Sequence, residues 1–569
     1  LDLEIAHGEW ERTGLDPRVL ASIVVDAADG SRVIAGTGTD LLVAASTVVV
    51  EQPFYLERQD LTPRERQFTP TTGLLVLDAA DEPAGPSTPP SRVNVDPAPP
   101  IRVVQTIDAR PAASDEVAPP AGTARLWDVG VNVAGRSRVV IRSAVEAGTV
   151  VRVVHGEHID DGHVDTTNLS MPYDEGRTRQ SVEYILPATD AAGTITLEPR
   201  FCYHGFRYVD VIGLPADAII SVQAAVLHTD LRQISQLTTD DAQVNALTAA
   251  AGRTLLNNVH GIPEDCPTRE QSGWTGDTAS VSEFEFSAFD MQTFFAKWID
   301  DLITSQQPSG WIPAIAPDLR PEKVPADPVW GGALQHVLWG HWLHYGDREL
   351  VQRCLPALRR WADFQLGCRT QDGVVGNSPI SYGHDWLALE QTPPELHHTA
   401  ATIDSLTILE QFERELGDPD AAELRRAQAE DLRVAARRAF VDPETATVGN
   451  GSQASYAIAM QSDWLTEAEA AIAAWRLEAD VRARGNRVAS GFAATRTVVR
   501  ALAESGNSQP VFDALQQRAE PGVGAMLASG NGTFWECWWI DPTNTGTGSL
   551  DHLGLGGPFA SWAWQTLAG

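Results

Sequence analysis

The chain has 569 residues, with 42 Lys and Arg against 76 Asp and Glu and a formal net charge of −34; at about 150 residues per domain it holds three or four domains. Hydrophobic residues at 43% and charged residues at 21% give an ordinary globular balance, and the acid surplus excludes the basic footprint that nucleic acid or an anionic bilayer requires. No apolar run reaches the roughly 18 residues of a membrane span, and the opening LDLEIAHGEW lacks the basic and apolar regions of a secretory leader. A leader already removed would leave the same start, so a cytoplasmic and a secreted location both stay open.

Residues 1 to about 232 read as β structure, with alternation in Arg138–Arg142, Thr149–Val154 and Thr194–Glu198 between Gly, Pro, Asp and Asn. A Pro-, Ala- and Ser-rich stretch between about 80 and 121 marks a domain boundary or a long surface loop. The expected division is a β-sandwich domain over 1–121, whole or partial, that ends in that Pro-rich linker. A β jelly-roll domain over 122–232 follows. From 233 the period turns helical. Asp240 and Gln243 suit a capping box for a helix with Val244, Leu247, Ala251 and Leu255 on one face. Phe284 to Gln306 predicts one long amphipathic helix, and Ile403, Leu406, Leu409, Phe412 and Leu416 form a stripe stopped by Gly417. About a dozen such segments over 233–569 suit an (α/α)6 toroid better than a single bundle.

Of 17 Trp, fifteen follow residue 273, several in loops beside Gly, Pro or acids: Gly273-Trp274, Pro328-Val329-Trp330, Asp385-Trp386 and Trp535-Glu536. Indoles stack on the apolar faces of sugar rings, and carboxylates bind hydroxyls; packing of the inner wall is the other reading of each Trp. The densest constellation is Asp265-Cys266-Pro267-Thr268-Arg269-Glu270-Gln271-Ser272-Gly273-Trp274-Thr275-Gly276-Asp277. It puts three carboxylates, a guanidinium and an indole in one Pro/Gly-rich loop. Glycoside hydrolysis needs one protonated carboxyl for the leaving oxygen and a second carboxylate to activate water or attack carbon. The five cysteines and the scattered histidines show no metal-ligand spacing, so no metal is expected.

This loop resembles the signature of the α-L-rhamnosidases of glycoside hydrolase family 78. Phe289–Trp298 looks like the helix that follows it in that family. Asp327-Pro328-Val329-Trp330-Gly331 and Tyr382-Gly383-His384-Asp385-Trp386-Leu387 resemble its two Trp-bearing loops. Thr533-Phe534-Trp535-Glu536 and Ser549-Leu550-Asp551-His552 look like its closing motifs, and Glu198–Phe201 with His204–Tyr208 like the last strands of its accessory β domain. The resemblance implies an (α/α)6 catalytic domain behind β-sandwich domains, exo-acting hydrolysis with inversion, and no cofactor. It implies terminal α-L-rhamnose, on glycosides or oligosaccharides, as the substrate. Carried over, Glu270 is the general acid and Glu536 the base that activates water. Asp265, Arg269 and Asp277 hold the sugar hydroxyls, Trp274, Trp330 and Trp386 shape the pocket, and His552 adds a polar contact. Structural readings stay open: Arg269 as a neutraliser of Asp265 and Asp277, His552 as a core histidine, Trp330 and Trp386 as wall packing. The rival functions are an inverting exo-glycosidase for another terminal sugar and a carbohydrate-binding protein without catalysis.

Overall fold

The computed structural model describes residues 97–112, 125–169, 180–188, 193–317, 327–376, 385–506, 508–540 and 548–568, with strand segments 22–26, 32–36, 42–43, 48–52, 56–61 and 69–70. Alternating apolar residues build one ten-stranded sheet from β1 (Val48–Gln52), β2 (Leu56–Asp60), β3 (Ile101–Asp108), β4 (Arg110–Pro111), β5 (Leu126–Arg142), β6 (Val150–Gly156), β7 (Ser181–Ile185), β8 (Thr194–Leu197), β9 (His204–Ile212) and β10 (Ile219–Thr229). The order is β1-β2-β7-β6-β9-β5-β10-β3, with β4 and β8 also paired to β5. The long β5 turns the sheet on itself: its first half pairs with β9, its second with β10 and β8. Val139, Ile141, Val151, Val153, Phe206 and Val211 fill the space between, each worth about 1.5–3 kcal/mol on burial.

Strands from both sides of residue 121 share this sheet. β2 pairs in parallel with β7, and β3 pairs antiparallel with β10. Residues 101–111 are therefore strand rather than linker. The buried Glu57 on β2 anchors the join, accepting the N–H groups of Arg200 at 2.9 Å and Phe201 at 2.8 Å. Backbone donors of this kind compensate a desolvated carboxylate.

The remaining chain forms thirteen described α-helices: α1 (Ala242–Asn257), α2 (Thr275–Ala288), α3 (Gln292–Ser305), α4 (Ala333–Tyr345), α5 (Arg348–Gly367), α6 (Pro394–Glu415), α7 (Pro419–Phe440), α8 (Gln453–Gln461), α9 (Glu467–Ala483), α10 (Phe492–Glu504), α11 (Gln509–Gln516), α12 (Val523–Ala528) and α13 (Gly557–Trp562). Helix α1 is capped by Asp241, not Asp240: its carboxylate accepts from Gln243 N at 2.8 Å and Val244 N at 3.0 Å. Gln243 instead reaches Leu515 O at 3.1 Å, so no capping box forms. The helix expected over Phe284–Gln306 is two, because Phe289 turns extended (φ −130) and buries itself at the corner. Gly417, left-handed at φ +86 just past Leu416, stops α6 as the sequence requires.

Helices α2, α4, α6, α8, α10 and α13 each touch the next, and α13 closes on α2; the other helices pack outside them. This is an (α/α)6 toroid carried behind a β-sandwich. Trp298, Trp361, Trp538, Phe284, Phe286 and Phe295 are fully buried in its wall. Connections entering the inner helices bond to one another: 258–274 to 529–540 through Arg269 and Glu536, 385–393 to 485–491 through Glu390 N and Ala489 O, and 485–491 to 529–540 through Ser490 O and Trp538 Nε1. The sandwich leans on the first of these: Gln271 Nε2 donates to Tyr203 O at 3.3 Å and Tyr203 Oη to Glu264 Oε1 at 2.7 Å. No described helix is long and apolar enough to cross a membrane.

Candidate active site

The loop before α2 is tied into a ring by its ends. Asp265 N donates to Ser272 O at 3.1 Å, and Ser272 N returns a bond to Asp265 Oδ1 at 2.9 Å. Asp265 Oδ2 accepts from Cys266 Sγ at 2.7 Å. Burial, with the Glu270 charge next in size, holds the Asp265 carboxyl well above the usual carboxylate range. Gln271, left-handed at φ +49, turns the chain and sends Arg269 and Glu270 inward. Its Nε2 steadies the turn on Pro267 O at 2.9 Å.

Arg269 faces both candidate catalytic carboxylates. Its Nη2 donates to Glu536 Oε1 at 2.6 Å, and its Nε lies 3.7 Å from Glu270 Oε1. The Asp265 charge also acts on this guanidinium, after those of Glu536 and Glu270. Glu536 Oε2 also accepts the Ser549 N–H at 3.1 Å. Glu270 Oε2 accepts from Trp274 Nε1 at 2.7 Å. Burial raises the Glu270 carboxyl above its ordinary value; Arg269 and the Trp274 N–H pull it down, and Glu536 and Asp277 push it up. The Glu270 side chain keeps 20% of its surface open, against 6% for Glu536. Glu270 is thus raised by burial and partly open, while Glu536 is enclosed and bonded to the guanidinium.

Asp277, in the first turn of α2, pairs with His552, whose Nε2 lies 2.8 Å from Asp277 Oδ1. His552 Nδ1 accepts the Gly554 N–H at 3.1 Å, so the ring proton is on Nε2 and the imidazole donates to Asp277. Phe492 packs on that ring at 4.5 Å between centroids. Trp330 is buried against Gly276, where an added Cβ would meet the indole at 2.6 Å. The structure therefore brings Asp265, Arg269, Glu270, Trp274, Asp277, Glu536 and His552 together, with Trp330 one residue away through Gly276. Trp386 stands further out and is 36% exposed; its carbonyl accepts the Phe492 N–H at 3.1 Å.

The acids beside these two tryptophans hold backbone. Asp327 Oδ1 accepts the Val329 N–H at 2.8 Å, and its Oδ2 faces His398 Nε2 at 3.4 Å. Asp385 accepts the N–H groups of Gly491 at 2.6 Å and Ala493 at 3.1 Å. Sequence reading also passed over Glu157, Gly548, Ser549 and Glu285. Glu157 lies in a run, Val154-His155-Gly156-Glu157-His158, with no feature to single it out. Ser549 belongs to a motif already noticed, of which only His552 was drawn. Behind Asp265 and Asp277 lies a cavity of about 10 Å³, lined also by Asn258, Glu285 and His552, room for about one water. Glu285 is pushed up to about 8 by burial alone. Among the described residues no group of His, Cys, Asp and Glu is arranged to hold a metal.

Two family models match the chain: the bacterial alpha-L-rhamnosidase 6 hairpin glycosidase domain over residues 232–567 and the bacterial alpha-L-rhamnosidase concanavalin-like domain over 120–228. The chain is 27% identical to an alpha-L-rhamnosidase of Streptomyces avermitilis, over 98% of this chain and 52% of that protein. It is 27% identical to one of Formosa agariphila, over 78% of this chain and 48% of that protein. It spans about half the length of these curated relatives. A crystal structure of the Streptomyces avermitilis alpha-L-rhamnosidase complexed with L-rhamnose superposes with a TM-score of 0.80 at 25% identity, over 96% of this chain and 51% of that one. The alpha-L-rhamnosidase of Dictyoglomus thermophilum shares the fold at a TM-score of 0.83 and 22% identity, over 98% and 62% of the two chains.

Proposed function

The chain belongs to the bacterial α-L-rhamnosidase family whose six-hairpin domain spans residues 232–567, and from that premise we propose that it is an exo-acting glycoside hydrolase releasing terminal α-L-rhamnose with inversion. Rhamnose-containing glycosides or oligosaccharides are its substrates. Glu270 gives its proton to the glycosidic oxygen as the bond to the anomeric carbon breaks. Glu536 takes a proton from the water that attacks the opposite face of that carbon. The supporting observation is that Glu270 and Glu536 both face the Arg269 guanidinium, with Glu270 raised by burial and partly open. A water must fit between the base and the sugar, so inversion calls for carboxyls about 6.5–9.5 Å apart.

Asp265, Asp277 and His552 line the same floor and serve the sugar hydroxyls. Arg269 serves binding chiefly by orienting Glu536, and Trp274, Trp330 and Trp386 wall the ring and its methyl group. The division at about residues 121 and 232, with 233–569 as the catalytic domain, belongs to this proposal, with strands on both sides of 121 contributing to one sheet. A panel of aryl glycosides tests the reading. Turnover of the α-L-rhamnoside, with α-L-fucoside, α-D-mannoside and α-D-glucoside untouched, supports it. Preference for another sugar, or binding without turnover, sinks it.

A further inference from the structure

Glu157 follows β6 in the sandwich and is 1% exposed, yet it reaches the loop beneath Glu536. Its Oε1 accepts from Asn132 Nδ2 at 3.0 Å and Ser549 Oγ at 3.0 Å, and its Oε2 accepts the Leu550 N–H at 2.8 Å. Nearby, Asn168 holds Gly548 in both directions, Nδ2 donating to Gly548 O at 3.0 Å and Asn168 O accepting Gly548 N at 3.3 Å. The sandwich thus grips Gly548, Ser549 and Leu550 in succession. The other side of this strip holds the base: Ser549 N donates to Glu536 Oε2 at 3.1 Å, and Ser549 O accepts Glu536 N at 2.9 Å. A Cβ on Gly548, at φ +124, would lie 2.5 Å from Glu536 Oε2, so the strip runs against the carboxylate with no side chain between.

We propose that Glu157 is a positioning residue for Glu536: the sandwich, through Glu157, fixes where the base carboxylate stands and is a working part of the active centre. This deepens the functional reading above and rests on it. All three partners of Glu157 arrive as donors, so only a carboxylate accepts them all; an amide in its place would set a donor against a donor. Two carboxyls face Glu157. Glu536 lies across the strip and pushes it up, while Asp551 lies to the side, bonded to Asn257 Nδ2 at 2.7 Å and itself raised by burial and by Glu157. Arg269 stands beyond Glu536, and Arg253 faces Asp551. Burial, opposed by the three donated bonds, leaves Glu157 pushed up to about 7.

The experiment is steady-state kinetics of Glu157→Gln on an aryl α-L-rhamnoside with a good leaving group and on one with a poor leaving group. The inference predicts that kcat falls about ten- to hundredfold, as for a displaced reacting group, by the same factor on both substrates, with KM within about twofold. Loss of equal size on both is the mark of an impaired base; an impaired acid shows mainly on the poor leaving group. Glu57→Gln is the control. It removes another buried sandwich carboxylate, far from the strip, and should lower the melting temperature while keeping kcat. Should Glu157→Gln not fold, Ser549→Ala removes one donor to Glu157 and keeps the N–H that Glu536 accepts; a smaller loss of kcat at constant KM is expected. Wild-type kcat in Glu157→Gln, or a loss matched by Glu57→Gln, overturns the inference while the enzyme reading stands. A wild-type chain inert on both rhamnosides overturns the reading, and the inference with it.

Discussion

At the scale of residues, two glutamates do different work only if their surroundings separate them. Glu270 is raised by burial and takes one indole N–H, while Glu536 takes a guanidinium and a backbone N–H. Glu270→Gln should therefore cost about 10²–10⁴ in kcat on poor leaving groups and far less on activated aryl rhamnosides, which a leaving-group series would read. Glu285 makes a separate test in stability. Its folded value of about 8 lies above the ordinary 4.5, so between those values the native state binds the extra proton. Stability from this group is whole below about 4.5 and declines as pH rises to about 8. Glu285→Gln should melt above wild type by a margin that grows from pH 5 to pH 8.5, of order a few kcal/mol at the top; a margin that is flat or shrinks with pH would contradict the assignment. The acids, Arg269 and the indole of the central loop were legible in the sequence as a set. Their pairings were not: Arg269 meets a carboxylate 267 positions away, which no neighbour in the chain announces.

At the scale of elements, the site is a ring of loops hung on the N-termini of inner helices, and buried aspartates do the hanging. Asp385 ties the Trp386 loop to the first turn of α10 through Gly491 and Ala493. Asp385→Ala should remove about 0.5–2 kcal/mol of capping stability and let Trp386 wander. If Trp386 walls the sugar as proposed, KM should then rise more than kcat falls, because stacking is felt about equally in ground and transition states; a fall in kcat at constant KM would count against this. Helical periods and stops were readable at this scale, as Gly417 shows. The split of Phe284–Gln306 was not, since apolar residues continue through the corner and Phe289 is buried there as a helical residue would be. Strand β3 was hidden for the opposite reason. It is an edge strand with Ile101, Val103 and Val104 exposed, so its sequence, Ile-Arg-Val-Val-Gln-Thr-Ile-Asp, lacks the alternation that one buried face imposes.

At the scale of the whole molecule, the net charge of −34 sets up self-repulsion that counter-ions relieve. The melting temperature should hold or rise from low to moderate salt; a steady fall would show that attractive ion pairs outweigh the surplus. Closure of the toroid, which no local pattern contains, brings Glu536 to the loop of Glu270. The parallel pairing of β2 with β7 likewise joins segments more than a hundred positions apart, beyond the reach of any window of sequence. The proposed stereochemistry follows from the proposed roles: an acid and a base acting from opposite faces of the sugar, with water between, would invert the anomeric centre. The most direct test is proton NMR of the sugar first released from an aryl α-L-rhamnoside, before mutarotation. The account predicts β-L-rhamnose; first appearance of the α-anomer would contradict it.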